Sequence, residues 1–311
     1  MTLRVLVTGG CGMLGRHVCR ELITAGMMLQ ALSRTSPIEP ANHRYSRCFC
    51  DITDAPALRE AVRTFAPDAV IHLAALIASP QDGREDWRVF QVNAQGTANL
   101  MEACAALAVP PAVVYTSTMS VYDYEHPEYV PVDEMHPVVP ASAYGLSKYM
   151  GEMICRHYAQ WHTTGLAILR LPGIYGPGRK SGLMYKLLAS AAEEKAMNVP
   201  ALDSRRDFIY VKDAARAVRL ALEAARKKRV VLCNLSGEVP EMAEVLAAVE
   251  AIAGRSLVTH PSPGSSTHDF YFSSETARAE LGFEPHNFEL TLRDFWNEQQ
   301  IGVSTMRTCN G

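Results

Sequence analysis

The chain has 311 residues, a formal net charge of −3, 20% charged and 48% hydrophobic residues, enough to bury one large domain with or without a smaller appendage. That balance excludes a disordered chain, a basic nucleic-acid binder and an acidic tail. Charged residues interrupt every apolar segment before the ~18 residues that a membrane span needs, and MTLRVLVTGG runs straight into a strand and turn with no cleavable leader. The expectation is a soluble, cytoplasmic protein with neither a membrane nor a nucleic acid as partner.

In chain order, short runs rich in Val, Ile and Leu alternate with helix-like stretches from residue 3 to about 171. The runs are LRVLVT (3–8), MLQALS (28–33), YSRCFC (45–50), AVIHLA (69–74), AVVYTS (112–117) and LAILRL (166–171). Their spacing leaves room for crossover helices, which predicts βαβ units and a doubly wound parallel sheet of the Rossmann type over 1–171. Beyond Pro172 the pattern loosens into the Gly/Pro-rich PGIYGPGRKSG, the strand-like DFIYV and VVLCNL, and the helical PEMAEVLAAVEAIA. Residues 172–300 therefore read as a smaller α/β substrate-binding portion with some segments returning to the core, followed by a frayed tail at 301–311. PSPGSS at 261–266 reads as a loop.

Eight cysteines lie at 11, 19, 48, 50, 104, 155, 233 and 309. Most fall in apolar periodic segments, where a thiol acts as a small hydrophobe. Cys48 and Cys50 form the one close pair, and no second pair or nearby histidine completes a zinc set. Reduced thiols and no metal are expected.

TGGCGMLG (8–15) sits between the first strand and the first helix. Gly10, Gly12 and Gly15 match G-x-G-x-x-G, and Gly9, Gly12 and Gly15 match G-x-x-G-x-x-G. Glycine there permits the tight turn, the approach of a pyrophosphate and close helix packing, while the helix N-terminus offers N–H groups to the anion. A dinucleotide site carries an acidic residue about 20 residues further on. Here QALSRT puts Ser33 at that place and Arg34 after it, which removes a repelling anion and adds a cation for a 2′-phosphate. NADP is favoured, with NAD as the alternative. Asp51, in CDITD, reads either as a hydrogen-bond acceptor for the adenine amino group or as the cap or turn aspartate of the next helix.

In SAYGLSKYMGE, Tyr144 and Lys148 stand four apart, so a helix places phenol and ammonium on one face. His72, inside an apolar strand, reads as a satisfied core imidazole.

Taken in order, the glycine turn, DIT, HLAAL, VNAQGT, VYTSTMSVY, YGLSK, RLPGIYGPG, RRDFIYVKDAARAV, NLSGE and SSETARAELGFEP make the chain resemble the extended short-chain dehydrogenase/reductase family, also called the NAD-dependent epimerase/dehydratase family. The resemblance covers nearly the whole chain. It implies an NAD(P)-dependent enzyme in which Tyr144 is the acid/base, Lys148 binds the nicotinamide ribose and favours the tyrosinate, and Thr118 bonds the reacting oxygen. A phenol of ordinary pKa near 10 needs such cationic help at neutral pH. It further implies cofactor contacts from Gly9, Gly12, Met13, Leu14, Ser33, Arg34, Asp51, Ile52, Leu73, Ala74, Ala75, Tyr144, Lys148 and Pro172, substrate contacts from Thr118, Met119, Tyr144 and Arg206, and a backbone-bonding role for Asn93.

Arg206 matches an arginine that binds the diphosphate of nucleotide sugars. Two departures oppose that substrate: PSPGSSTHD lacks a second arginine, and Gly173 stands where asparagine is common. A free sugar, sugar acid or ketone becomes the expected substrate. Three readings follow: an oxidoreductase performing net hydride transfer on a sugar-like carbon, a nucleotide-sugar epimerase or dehydratase retaining NAD, and a non-catalytic NADP-sensing protein. Retention of Thr118, Tyr144 and Lys148 opposes the third. The resemblance also implies a homodimer built on helical faces such as 82–106 or 142–162.

Overall fold

The computed structural model describes residues 2–34, 43–77, 86–227, 230–261 and 269–308. Its centre is a seven-stranded, all-parallel sheet. The strands in chain order are β1 (Arg4–Thr8), β2 (Met28–Ser33), β3 (Tyr45–Phe49), β4 (Ala69–His72), β5 (Ala112–Thr118) and β6 (Leu166–Leu171). Two short strands, β7 (Gly173–Tyr175) and β8 (Met197–Val199), precede β9 (Phe208–Tyr210), β10 (Val230–Asn234) and β11 (Thr259–Pro261). The large sheet runs β10-β6-β5-β4-β1-β2-β3. Direction reverses between β1 and β4, the place where open α/β sheets hold their ligands.

The central strands are chiefly apolar because helices cover both faces; all six residues of β6 are buried, whereas the edge strand β3, YSRCF, is polar and mostly half-buried. On one face, α1 (Met13–Thr24) packs beside α6 (Val211–Ala225), with α8 (Glu275–Leu281) beyond it. On the other lie α2 (Ala55–Phe65), α3 (Gly96–Ala105) and α4 (Ala143–His162). A π-helical turn over Phe90–Gln95 leads into α3. Asp54, not Asp51, caps α2, accepting the Ala57 N–H at 3.1 Å. The Asp51 carboxylate closes a turn on Thr53, through the backbone N–H and the hydroxyl, both at 2.9 Å.

The remaining elements form a second core. β7 pairs with β9 and β8 with β11, and α5 (Leu183–Glu193), α7 (Met242–Ala253) and α9 (Phe288–Thr308) enclose Tyr175, Leu188, Val249 and Phe295. Asp294 ties α9 back to α6, accepting from Lys212 Nζ at 2.8 Å and from the Tyr210 hydroxyl.

VVLCNL is a strand, β10, and it is a segment that returns to the large sheet, in register with β6 from Val230↔Leu166 to Asn234↔Arg170. One sequence expectation changes. The frayed tail is instead helical as far as Thr308: no proline follows Phe288, and one glycine, Gly302, costs only about 1 kcal/mol in a helix. Of the loop read at 261–266, Pro261 ends β11 and the rest lies outside the described residues.

Candidate active site

The glycine turn leaves β1 at the centre of the sheet. Gly9 has φ +69°, and a Cβ there would stand 2.9 Å from the Ala74 nitrogen; a Cβ on Gly15 would overlap the Gly9 carbonyl oxygen. Only glycine lets β1, the turn and α1 come this close. Gly12 is the N-cap of α1 and contributes no side chain, so the first-turn N–H groups face outward without a side-chain acceptor, as phosphate binding requires.

A cleft of about 240 Å³ opens beside this turn. It is lined by Gly9, Gly12, Ser33, Arg34, Asp51, Ile52, Leu73, Ala74 and Ala75, with Cys11, Leu32, Cys50 and Val92 completing the wall. Nine of the residues expected at a dinucleotide are thus brought together. Met13, Leu14, Tyr144, Lys148 and Pro172 are not on this wall. The Met13 and Leu14 side chains pack into the apolar cores, which leaves their backbone N–H groups as what they could offer a phosphate. Pro172 is buried just past β6. Arg34 lies 3.7 Å from the Asp51 carboxylate at the rim, both partly exposed, and this cation together with the Thr53 bonds leaves the Asp51 pKa lowered despite burial.

The catalytic candidates gather at the C-terminal edge of β5. Thr118, the last residue of that strand, is buried and accepts the Ser120 N–H at 3.2 Å. Ser142 caps α4 through the Gly145 N–H at 3.1 Å, and Gly145 has no Cβ because one would overlap the Ser120 carbonyl oxygen. That contact seats the first turn of α4 on the end of β5 and brings the Tyr144 phenol to the Thr118 hydroxyl, with which it hydrogen-bonds. Nearly two turns on, Gly151 leaves room for the Tyr115 hydroxyl, which donates to the Lys148 carbonyl at 3.1 Å. Lys148 is buried, its ammonium 4.2 Å from the centre of the Tyr115 ring.

Burial raises the Tyr144 pKa, while the Thr118 bond and the charge of Arg179 pull it back down. Arg179 is thus a second cation whose charge favours the tyrosinate, beside the Lys148 that sequence reasoning named. Burial brings Lys148 down to about 8, so its ammonium form persists at neutral pH. Arg179 was not singled out from the sequence. Its signal, a cation in the Gly-rich GPGRKSG directly after β7, was there to read.

Asn93 bonds backbone as expected. It accepts the Leu76 N–H at 2.8 Å and donates to the Leu76 carbonyl and to Ser147 Oγ at 2.9 and 3.0 Å, fixing the segment after β4 to α4. His72 is a core imidazole between Thr8 and Thr97, at 2.6 and 2.9 Å, and burial lowers it to about 3, uncharged at neutral pH. The cysteines among the described residues are all free. Burial raises Cys50 to about 11, so it is no ready thiolate. No group of three potential metal ligands occurs among the described residues.

On the substrate side, Met119 follows Thr118 and packs against Val121, Val132 and Phe270. Arg206 is half-buried and its backbone bridges Phe270. Next to it Arg205 pairs with Glu241 at 2.8 Å and donates its N–H to Asp269 at 2.7 Å. A cavity of about 480 Å³ here is lined by Glu125, His126, Tyr129, Asp203 and Asp269. Asp207 is buried, accepts the Phe272 N–H at 2.9 Å, and is pushed up to about 7 by burial.

Residues 5–233 match the model of the NAD dependent epimerase/dehydratase family. The chain belongs to that family. As a member it is an NAD(P)-dependent enzyme of the extended short-chain dehydrogenase/reductase type. Family relatives differ in chemistry. A UDP-glucose 4-epimerase of Rhizobium leguminosarum bv. trifolii is 27% identical over 94% of this chain and 96% of its own. A D-erythronate dehydrogenase of Cupriavidus necator is 28% identical over 82% of this chain and 83% of its own. Among solved structures, the UDP-glucose 4-epimerase of Thermus thermophilus in complex with NAD superposes with a TM-score of 0.81, at 28% identity, over 96% of this chain and 99% of that one.

Proposed function

We propose that the chain moves a hydride between a nicotinamide dinucleotide and a hydroxyl-bearing carbon of a small sugar-like substrate, in net redox. The observation that carries this reading is the convergence of Thr118, Tyr144 and Lys148 at the C-terminal edge of β5. The glycine cradle and its cleft fit a dinucleotide, with Gly9, Gly12 and the first turn of α1 for the pyrophosphate, and Asp51 and Ile52 for the adenine end. When bound, the dinucleotide supplies the hydride acceptor or donor. The chain's own residues handle the proton. Thr118 and Tyr144 hold the substrate oxygen; in oxidation the tyrosinate takes the hydroxyl proton while the C–H pair departs as hydride, leaving a carbonyl. Lys148 holds the ribose. Tyr144→Phe should lower turnover by about 10²–10⁴-fold with folding and cofactor binding intact. Turnover within a few-fold of the parent would defeat the assignment.

NADP is proposed over NAD from Ser33 and Arg34, since a 2′-phosphate would meet a guanidinium whose contact with Asp51, at 3.7 Å, is exposed. The second reading is a nucleotide-sugar epimerase that retains NAD, favoured by the names of several relatives and by Arg206. The carboxylates of Asp203, Asp269 and Glu125 around the neighbouring cavity oppose it, because like charge repels a diphosphate. Extracting the cofactor from freshly purified protein separates the two: largely empty protein supports net redox, and near-stoichiometric NAD⁺ supports the epimerase.

A homodimer and a cytoplasmic location are proposed as well. Along α4, Leu146, Met150, Met153 and Trp161 form an exposed stripe at helical spacing, beside an apolar groove shared with Met101 of α3. Equilibrium sedimentation tests the dimer, and a Met150→Glu change should yield monomers. Free thiols suit a reducing compartment.

A further inference from the structure

Lys148 is a buried cation on α4, and its surroundings are not those of an ordinary ion pair. Among the described residues its ammonium makes no hydrogen bond; what it meets is the face of the Tyr115 ring, 4.2 Å from the centre. A buried ammonium without acceptors is costly, and the negative face of an aromatic ring offsets part of that cost. Tyr115 is itself wholly buried, in the middle of β5. It holds the lysine at a second point, its hydroxyl donating to the Lys148 carbonyl at 3.1 Å. Gly151 makes this possible, since a Cβ there would stand 2.1 Å from the hydroxyl oxygen. His72 of β4 packs on the same ring, with centres 5.5 Å apart.

Resting on the proposed hydride-transfer reading, we infer that Tyr115 is a positioning residue for the reaction: its ring is the seat that keeps the Lys148 ammonium charged and in place until a nicotinamide ribose takes it. A side chain kept only for its bulk would be matched by any ring of the same shape. A seat depends on the negative charge of the ring face.

The other groups around the ammonium hold their protonation near neutral pH. Glu152 and Cys155 follow Lys148 along α4 and act on its charge. Glu152 is buried and accepts from Nε and an Nη of Arg170 of β6, at 2.9 and 2.7 Å. Burial pushes the Cys155 thiol up and, on α3, the Cys104 thiol up to about 12. It also raises the Tyr115 phenol and lowers His72 to about 3. The π-helical turn and the 119–121 segment, which also pack on α4, carry no ionisable side chain. Tyr144 is left, and Tyr144→Phe removes it.

The test reads Lys148 through the cofactor. In the Tyr144→Phe protein, NADPH and NADH are titrated by fluorescence from about pH 6.5 to about pH 10. The dissociation constant should rise once the pH passes about 8, where Lys148 gives up its proton. Lys148→Met should abolish that rise. Tyr115 is then replaced by phenylalanine and by phenylalanines carrying one, two and three fluorines, which drain the ring face and keep its shape. The phenylalanine protein should keep the midpoint within about 0.3 of a pH unit, and each fluorine should lower it, by about one unit in all, a tenfold change in proton affinity. The inference is overturned by a midpoint that ignores fluorine, by one that moves up, or by a rise that survives Lys148→Met. The first two leave the hydride-transfer reading intact, and the third removes its ribose contact as well. The role of Tyr144 is decided separately, by the turnover of Tyr144→Phe.

Discussion

The cofactor cleft and the reaction centre lie side by side on one sheet edge and are made from different materials. The cleft is chiefly backbone: Gly9, Gly12, Gly15 and a helix N-terminus, where missing side chains do the shaping. The reaction centre consists of functional groups: a hydroxyl, a phenol, an ammonium and a guanidinium contributed by β5, α4 and the segment after β6. A backbone site is damaged by adding atoms, and a side-chain site by removing them. Changes to the first should therefore appear in cofactor affinity, and changes to the second in turnover or substrate choice.

The largest expected effect is that of Lys148→Ala, which removes both the proposed ribose contact and a buried cation. It should exceed the loss in Tyr144→Phe, a factor of about 10²–10⁴, and would blur the division by weakening cofactor too. Steady-state kinetics with a direct cofactor titration measure both. Next comes Gly15→Ala. Because its Cβ overlaps the Gly9 carbonyl oxygen, cofactor affinity should fall about 10–100-fold, comparable to a 1–3 kcal/mol overpacking cost, with turnover near that of the parent once cofactor saturates. A fall in saturated turnover as large as the fall in affinity would erase the distinction. Arg34→Ala should weaken NADPH about tenfold and leave NADH unchanged, since a charge-assisted bond contributes about 1.5–3 kcal/mol; fluorescence titration of both forms decides it.

The remaining two effects concern protons. Asp207 has a folded pKa of about 7, above its ordinary value, so the folded state binds its proton more strongly than the unfolded chain does. Its stabilising contribution is complete below about pH 4 and is lost as pH rises towards 7, on the order of 3–4 kcal/mol at most. Asp207→Asn should thus melt progressively higher than the parent between pH 4.5 and 8; a pH-independent difference would show that the carboxyl is already ionised at the lower end. Last, Arg179→Ala removes a cation that lowers the Tyr144 pKa. The acidic limb of the oxidation rate should move to higher pH, and Arg179→Lys should restore it.

What could be read beforehand follows the same division. β2 and β6 have the boundaries that their apolar runs imply, because strands buried on both faces write an unbroken signal. Gly9, Ser33, Asp51 and Ala74 were legible because a cleft built at strand ends recurs at fixed distances along the chain. The union of β10 with β6 was not, since a strand's own residues do not say which neighbour it pairs with across the 58 positions from 172 to 229. The π-helical turn around Asn93 left no mark in the hydrophobic period. Arg179 went unread for a related reason: its importance comes from a phenol 35 residues away, and only the path of three glycines with positive φ connects them. Asp51 and Asp54 show the limit at short range, where two aspartates three apart shared capping and turn duty and composition could not assign them.

Helix α4 is seated at Gly145 on the Ser120 carbonyl and at Gly151 on Tyr115, and this has a bearing on how such a protein can change. Four residues at about 1.5 Å each set the rise from Tyr144 to Lys148, a ruler that no loop can stretch. The segment 176–182 is held in a different way, by Gly176, Gly178 and Gly182 at positive φ, where a side chain would strain the backbone. The offset between the proposed acid/base and its ammonium is thus written into the helix itself, so changes in the surroundings of the pair leave that offset as it is.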